Sequence, residues 1–125
     1  VALFSVPGAF TPTCSAKHLP GFIEKASELK AKGIDRIVCT AVNDIFVLDA
    51  WAKNQNASDQ VMMLADGNAD FVRALGLVMD GSKFGMGVRG QRFSLVVEDK
   101  VVKQVHVEEA GDFKVSSAEH MLDSL

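Results

Sequence analysis

Few cysteines and no long hydrophobic run limit what this chain can be. Two cysteines among 125 residues cannot form the disulfide framework of a small secreted domain, so we expect a reducing compartment and not secretion. No apolar stretch approaches the roughly 20 residues of a membrane-spanning helix. Val1 begins directly on a strand-like run, and no targeting segment is visible. A membrane is therefore not an expected partner.

Basic charge and metal-ligand patterns are also scarce. The chain carries 13 lysines and arginines against 16 acidic residues, which gives a net charge of −3. No basic stripe appears that could bind nucleic acid through its phosphates. His106 and His120 share no ligand spacing with the cysteines, so the sequence predicts no zinc site. No other metal or cofactor is expected.

Residues 1–125 have the composition of one globular domain, with 48% hydrophobic and 23% charged residues. Short apolar runs at 1–6 and 37–42 predict buried strands, the run at 61–64 predicts a third strand, and the runs at 93–97 and 101–107 predict a late hairpin. Helical patterns separate the first three strands. Strands separated by helices pair in parallel, while hairpin strands pair antiparallel. We therefore expect a three-layer α/β fold with a central mixed sheet flanked by helices.

Helices are predicted from apolar periodicity together with capping and stop residues. The signals are, in chain order, a helix over 13–32 kinked or divided at Pro20 and stopped by Gly33, a helix capped by Asn43-Asp44, a short helix that stops at Gly76, and a C-terminal helix with a capping box from Ser116 to Glu119. The glycine-rich stretch 76–90 predicts an irregular loop, which can bring backbone close to a site.

The stretch Pro7-Gly8-Ala9-Phe10-Thr11-Pro12-Thr13-Cys14-Ser15 joins the first strand to the first helix. Its prolines fix the backbone, and it puts Cys14 near the first turn of the helix. Free N–H groups and the helix dipole favour an anion there, and the thiolate is the nucleophilic form of cysteine. The alternative is a small buried cysteine that only packs. The strand, the loop and the helix start together favour a reactive Cys14.

Pro7, Thr11 and Cys14 form the pattern P-x-x-x-T-x-x-C, which resembles the signature of peroxiredoxins. The longer stretch PGAFTPTCSAKHLPGF is similar to that of the type II, or peroxiredoxin-5-like, subfamily, and the resemblance covers nearly the whole chain. It implies a thioredoxin-like fold and a thiol peroxidase that reduces hydrogen peroxide and alkyl hydroperoxides. It also implies a homodimer, a location in the cytoplasm, chloroplast or mitochondrion, and further strands before Val1.

The resemblance implies that Cys14 is the peroxidatic cysteine, whose thiolate attacks the peroxide and becomes a sulfenic acid. Thr11 is expected to offer a hydroxyl to the thiolate or to the peroxide, and Pro7 to shield the sulfur. A fixed guanidinium suits the charge of this reaction, and Arg92 matches the family's arginine by resemblance. The sequence alone does not distinguish Arg92 from Arg89.

Cys39 lies in the middle of the second predicted strand and has two interpretations. It is either an inert buried thiol or a resolving or modulating residue, because plant-like type II peroxiredoxins carry a second cysteine at what looks like this position. The other route in the subfamily uses a cysteine near the C-terminus, but residues 113–117 contain none. The resemblance therefore implies an external reductant, either glutathione with glutaredoxin or thioredoxin.

Two residues are expected to line the substrate entrance, Phe10 and Met86, where an apolar mouth would admit organic hydroperoxides. His18, one turn after Cys14, is interpreted as a packing residue and not as a base. A different interpretation of the chain is a thioredoxin-like redox sensor or binding module with an oxidisable Cys14 and little turnover. The complete set of signature residues favours the enzyme.

Overall fold

Seven strands form in the computed structural model, which describes residues 1–125. In chain order they are β1 (Ala2–Ser5), β2 (Ile37–Ala41), β3 (Met62–Ala65), β4 (Val78–Asp80), β5 (Val88–Gly90), β6 (Phe93–Glu98) and β7 (Val101–Val107). Five of them make one sheet in the order β3-β2-β1-β6-β7. β1 pairs in parallel with β2 and antiparallel with β6. The mixed sheet predicted from the alternation of strands and helices is confirmed.

Five α-helices and two shorter helical turns accompany the strands. They are a π-helical turn (Cys14–His18), α1 (Leu19–Glu24), α2 (Ala26–Ala31), α3 (Ile45–Asn54), α4 (Asp70–Leu75), a 3₁₀ turn (Ser82–Phe84) and α5 (Ala118–Ser124). None of them combines the length and the apolar character that crossing a bilayer requires.

The two faces of the sheet bury separate apolar clusters, because successive side chains of a strand point to opposite faces. Phe4 and Cys39 lie in the larger cluster with residues of α1, α2, α3 and α5. Leu3 and Val38 lie in the smaller cluster with residues of α4. The central strand β1 is buried along its whole length. This arrangement gives three layers and places the carboxyl end of β1 next to the Cys14 loop.

The long first helix predicted over 13–32 is divided in the structure. Its first part is π-helical, and α1 begins at Leu19 with Pro20, which has no N–H to donate, in its first turn. A second break falls at Lys25, whose φ of −94° and ψ of 6° leave the helical region. Gly33, at a φ of +100°, follows the end of α2 as predicted.

The glycines of the stretch 76–90 predicted an irregular loop, and this prediction is wrong. β4 and β5 pair antiparallel as a two-stranded sheet, and the 3₁₀ turn lies between them. Both strands have only three residues, which is too few for a periodic signal in the sequence. Gly90 is required by a close approach: a Cβ built there would lie 2.9 Å from Val72 Cγ1. β5 therefore sits directly against α4.

Helix caps agree with the sequence at α3 and differ at α5. Asp44 caps α3, and its carboxylate accepts a hydrogen bond from the Val47 N–H at 2.8 Å. At α5 the cap is Ser117, whose hydroxyl accepts from the His120 N–H, so the predicted capping box from Ser116 to Glu119 is wrong. The Ser116 hydroxyl donates instead to the Glu108 carboxylate at 2.7 Å.

Candidate active site

Cys14 begins the π-helical turn beyond the carboxyl end of β1, and its side chain is buried. Neither the Thr13 nor the Cys14 amide N–H has an acceptor in the protein, since the first amides of a helix have no intrahelical partner. Ser15, the next residue, is held by α3, because Trp51 Nε1 donates to Ser15 Oγ at 3.0 Å. The start of this helix thus offers free donors around a buried sulfur.

Arg92 donates from Nη2 to Cys14 Sγ at 3.0 Å, although the two residues are 78 positions apart in the chain. The pairing of β1 with β6 explains the contact. Ser5 lies opposite Phe93 in that antiparallel ladder, so the residue just before β6 reaches the loop just after β1. A positive guanidinium at this distance stabilises negative charge on the sulfur.

Arg89, the alternative arginine, has a different set of partners. Its Nε donates to the Met86 carbonyl oxygen at 2.9 Å, and its Nη1 donates to the Val42 carbonyl oxygen at 3.3 Å and reaches that of Pro7 at 3.5 Å. Arg89 therefore ties the β4–β5 hairpin to the Cys14 loop. Of the two arginines that the sequence did not distinguish, Arg92 contacts the sulfur, and Arg89 contacts the backbone around it.

His18 contacts the site in a way that the sequence interpretation missed. Arg92 Nη1 donates to His18 Nδ1 at 2.8 Å, and His18 Nε2 donates to the Ser116 carbonyl oxygen at 2.9 Å. Burial, and after it the charge of Arg92, lower the pKa of His18 from 6.5 to about 3. The ring is therefore neutral near pH 7, with its proton on Nε2. His18 does pack, with its ring 4.7 Å from that of Phe4, but it also orients Arg92.

The signal that could have found this pairing was weak. One histidine a turn after a cysteine is compatible with many structures, and its partner Arg92 lies 74 residues away. Only the β1–β6 pairing brings the two together. With both ring nitrogens engaged, His18 is not placed to act as a base toward Cys14.

Thr11 and Pro7 shape the loop around the sulfur. The Thr11 hydroxyl donates to the Gly8 carbonyl oxygen at 2.6 Å, so its proton is engaged within the loop and not with the sulfur. The expected donation from Thr11 to Cys14 is absent from this arrangement, and the hydroxyl oxygen keeps lone pairs that can accept. Pro7 is half-buried, and its carbonyl faces Arg89.

Phe10 and Met86 both lie beside this loop. Phe10 is 51% exposed, has a φ of +65°, and its ring centroid is 6.5 Å from that of Trp51. Met86 belongs to the segment between β4 and β5, and its Cε would be 3.4 Å from a Cβ built on Gly8. The β4–β5 hairpin therefore forms one wall of the site, which the prediction of an irregular loop did not describe.

Cys39 is held in the centre of the sheet. It lies in β2, opposite Phe4 of β1 and Met63 of β3, and its side chain is fully buried. Burial, with the charge of Cys14 adding to it, raises the pKa of Cys39 well above its ordinary value. Both cysteines are free thiols. No three His, Cys, Asp or Glu side chains in the structure are grouped so that they could hold a metal ion.

The low pKa of His18 predicts a loss of stability in acid. The unfolded chain binds a proton near pH 6.5, while folded His18 binds one only near pH 3. Its contribution is therefore complete above pH 6.5 and is lost as the pH falls toward 3. Between pH 7 and about pH 4 the loss amounts to roughly 3 kcal/mol.

The His18→Gln variant removes this titrating group. Urea unfolding at pH 7 and at about pH 4 should show a smaller decrease in the free energy of unfolding for the variant than for the wild type. Burial and, after it, the charge of His120 lower the pKa of His106, so His120→Gln, which changes a partly exposed histidine, should retain more of the wild-type decrease than His18→Gln does. An equal decrease in the wild type and His18→Gln would contradict the assignment of the acid sensitivity to His18.

Comparison with known proteins assigns the family. A profile of the redoxin family matches residues 1–122. The chain is 56% identical over 126 residues to the chloroplastic peroxiredoxin-2E-2 of Oryza sativa subsp. japonica, which covers 98% of this chain and 56% of the rice protein. Peroxiredoxin-2B of Arabidopsis thaliana is 52% identical over 125 residues, covering 100% of this chain and 77% of the relative. This chain therefore spans little more than half of the rice protein.

Solved structures agree with this assignment. Reduced Prx3 of Vibrio vulnificus, solved in complex with hydrogen peroxide, has a TM-score of 0.95 and 51% identity, covering 99% of this chain and 80% of that one. The thioredoxin-like fold expected from the resemblance is confirmed. On sequence and on structure, the chain belongs to the redoxin family, within its type II peroxiredoxin branch.

Proposed function

We propose that this chain is a thiol peroxidase in which Cys14 reduces hydrogen peroxide and alkyl hydroperoxides. The observation that carries the proposal is the 3.0 Å contact between Arg92 Nη2 and Cys14 Sγ, because a fixed cation beside a buried sulfur serves a reaction in which negative charge moves from sulfur to oxygen. The Vibrio relative solved with hydrogen peroxide supports the choice of substrate.

In the reaction, the Cys14 thiolate attacks one oxygen of the peroxide and the O–O bond breaks. The sulfur is oxidised to a sulfenic acid, and the other oxygen leaves as water or as an alcohol after taking up a proton. Arg92 and the free Cys14 amide N–H can donate to the two oxygens. Donors that are already oriented toward the developing charge lower the barrier most effectively.

Thr11 and Pro7 have supporting roles in this proposal. Since the Thr11 hydroxyl donates to Gly8, its oxygen accepts a hydrogen bond from the peroxide O–H, and this fixes which oxygen faces the sulfur. Pro7 shields the sulfur from water. Phe10 and Met86 provide an apolar entrance, which favours an alkyl group on the departing oxygen.

The sulfenic acid must be reduced by a thiol from outside the chain. Cys39 is the only other cysteine, and it is fully buried with a raised pKa, so little of it is thiolate. A disulfide with Cys14 would also need the helix start to move. We infer that glutathione with glutaredoxin, or thioredoxin, is the reductant, in a reducing compartment such as the cytoplasm, a mitochondrion or the chloroplast named for the rice relative.

A homodimer is proposed from three exposed phenylalanines in segments that lie next to the site. Phe46 and Phe84 are 83% and 80% exposed, and Phe10 is 51% exposed. The start of α3, with Phe46, is joined to the Cys14 loop by the hydrogen bond from the Ala9 N–H to Asn43 Oδ1. Such an apolar rim is costly in water, and a second copy would cover it.

The peroxidase proposal predicts a fast first oxidation at Cys14. On rapid mixing of the reduced protein with hydrogen peroxide or an alkyl hydroperoxide, Cys14 should react at least about a hundredfold faster than free cysteine, because several oriented donors act together. Cys14→Ser should abolish the reaction, and Cys39→Ser should leave the first step nearly unchanged. Repeated turnover should then require an added thiol reductant in both the wild type and Cys39→Ser.

Thiol loss followed by mass spectrometry measures each step. A rate no greater than that of free cysteine would refute the proposed function and would leave an oxidisable sensor as the remaining interpretation. A large loss of the first step in Cys39→Ser would refute the division of roles between the cysteines.

The dimer proposal predicts that a charge on the phenylalanine rim separates the copies. Phe46→Glu should shift the sedimentation coefficient of the wild type to that of a monomer, because a buried carboxylate opposes association. Val101→Glu is the matched control, since Val101 is 54% exposed at the opposite end of the sheet. A wild type that is monomeric at all concentrations, or equal effects of the two variants, would contradict the proposed interface.

A further inference from the structure

Glu108 is a buried carboxylate that the proposed reaction does not use. It directly follows β7, and only 8% of the residue is exposed. One oxygen, Oε2, accepts hydrogen bonds from the Lys114 N–H at 2.7 Å, the Ser116 N–H at 2.8 Å and the Ser116 hydroxyl at 2.7 Å. Burial raises the pKa of Glu108, but the hydrogen bonds from Ser116 and Lys114 more than offset this, so the pKa is lowered.

An ionised Glu108 therefore holds the segment 108–117 in one fold. That segment carries two groups to the site. The Ser116 carbonyl oxygen accepts from His18 Nε2 at 2.9 Å. The Phe113 ring lies 5.1 Å from the His18 ring and 5.9 Å from the Arg92 guanidinium carbon. Both groups reach Cys14 only through His18 and Arg92.

A backbone hydrogen bond also joins Glu108 to Arg92. The Glu108 N–H donates to the Arg92 carbonyl oxygen at 3.0 Å, just beyond the β6–β7 ladder. Glu108 thus fixes the main chain of Arg92 directly, and it fixes the side chain through Ser116 and His18. These hydrogen bonds form one connected network, so the loss of one of them weakens the others.

We propose that Glu108 is a positioning residue for Arg92 and acts by fixing the orientation of the His18 ring. With Ser116 held by Glu108, its carbonyl oxygen requires a proton on His18 Nε2. Nδ1 is then an acceptor and takes Arg92 Nη1 at 2.8 Å, which leaves Nη2 directed at Cys14 Sγ. Without the fixed carbonyl, the His18 ring would be held on one side only and could turn, which would move Nδ1 away from Arg92 Nη1. This inference rests on the proposed function, in which Arg92 assists peroxide cleavage.

Two reactions of Cys14 distinguish a positioning role of Glu108 from a merely structural one. Attack on a peroxide needs Arg92 to donate to oxygen as the O–O bond breaks. Alkylation by iodoacetamide also consumes the thiolate, but its leaving iodide needs no such donor. Misplacing Arg92 should therefore slow the peroxide reaction more than the alkylation, whereas general loosening of the fold should change both alike.

The test uses Glu108→Gln in the full chain, with Glu109→Gln as the control because Glu109 is exposed. Glu108→Gln should slow peroxide oxidation about tenfold more than alkylation, since hydrogen bonds to a charged acceptor are replaced by weaker ones. Glu109→Gln should change neither rate. In an Arg92→Lys background, Glu108→Gln should have little further effect, because residues that act through one another are not additive.

The contact between His18 and Ser116 is measured independently of activity by NMR of the His18 Nε2–H, which exchanges slowly with water only while it is buried and hydrogen-bonded. The Nε2–H should exchange slowly in the wild type and faster in Glu108→Gln. Should Glu108→Gln not fold, Ser116→Ala removes one donor to the carboxylate and should shift both readouts in the same direction by a smaller amount.

Two outcomes would overturn the proposal, and they differ. Wild-type exchange of the His18 Nε2–H together with a wild-type peroxide rate in Glu108→Gln refutes the role of Glu108 while the peroxidase assignment stands. A wild type that reacts no faster with peroxide than free cysteine does refutes the proposed function, and the positioning role with it.

Discussion

The contact between the Arg92 guanidinium and the Cys14 sulfur is the interaction on which the site depends. It joins two residues that are 78 positions apart, and it exists because β1 and β6 pair antiparallel in the centre of the sheet. A partly buried cation is unfavourable unless charged or polar groups surround it. Here the sulfur, the His18 lone pair and the Phe113 ring provide that environment.

This requirement connects the site to distant parts of the fold. His18 is held by Ser116, Ser116 by Glu108, and the backbone of Glu108 by Arg92. On the other side, Arg89 and Trp51 fix the loop and the helix start that carry Cys14. The sulfur therefore occupies a site whose polar groups are arranged before any substrate enters, which is the condition for electrostatic preorganisation.

The sequence predicts the parts of this structure that depend on local pattern. The mixed sheet follows from apolar runs separated by helical spacing, and the Asp44 cap and the Gly33 stop follow from residue chemistry at helix ends. The loop signature points to Cys14 because signature and helix start lie next to each other in the chain. Arg92 could be named only by resemblance, since nothing local distinguishes it from Arg89.

What could not be predicted depends on tertiary contacts. β4 and β5 are three residues long and form only because they pair with each other. Ser117 caps α5 in place of the predicted Ser116, because the Ser116 hydroxyl donates to the carboxylate of Glu108, which follows β7. The His18–Arg92 hydrogen bond likewise needs the sheet to exist first. In each case the deciding partner is brought in by folding and is not marked in the local sequence.

The most direct test of this account compares the peroxide rate constants of Arg92→Lys and Arg89→Lys. Lysine keeps the positive charge but lacks the planar guanidinium, whose two terminal nitrogens contact His18 and Cys14 at the same time. Arg92→Lys should slow peroxide attack at least about a hundredfold, while Arg89→Lys should lower stability with only a small change in rate. Equal rate losses in the two variants, or a wild-type rate in Arg92→Lys, would contradict it.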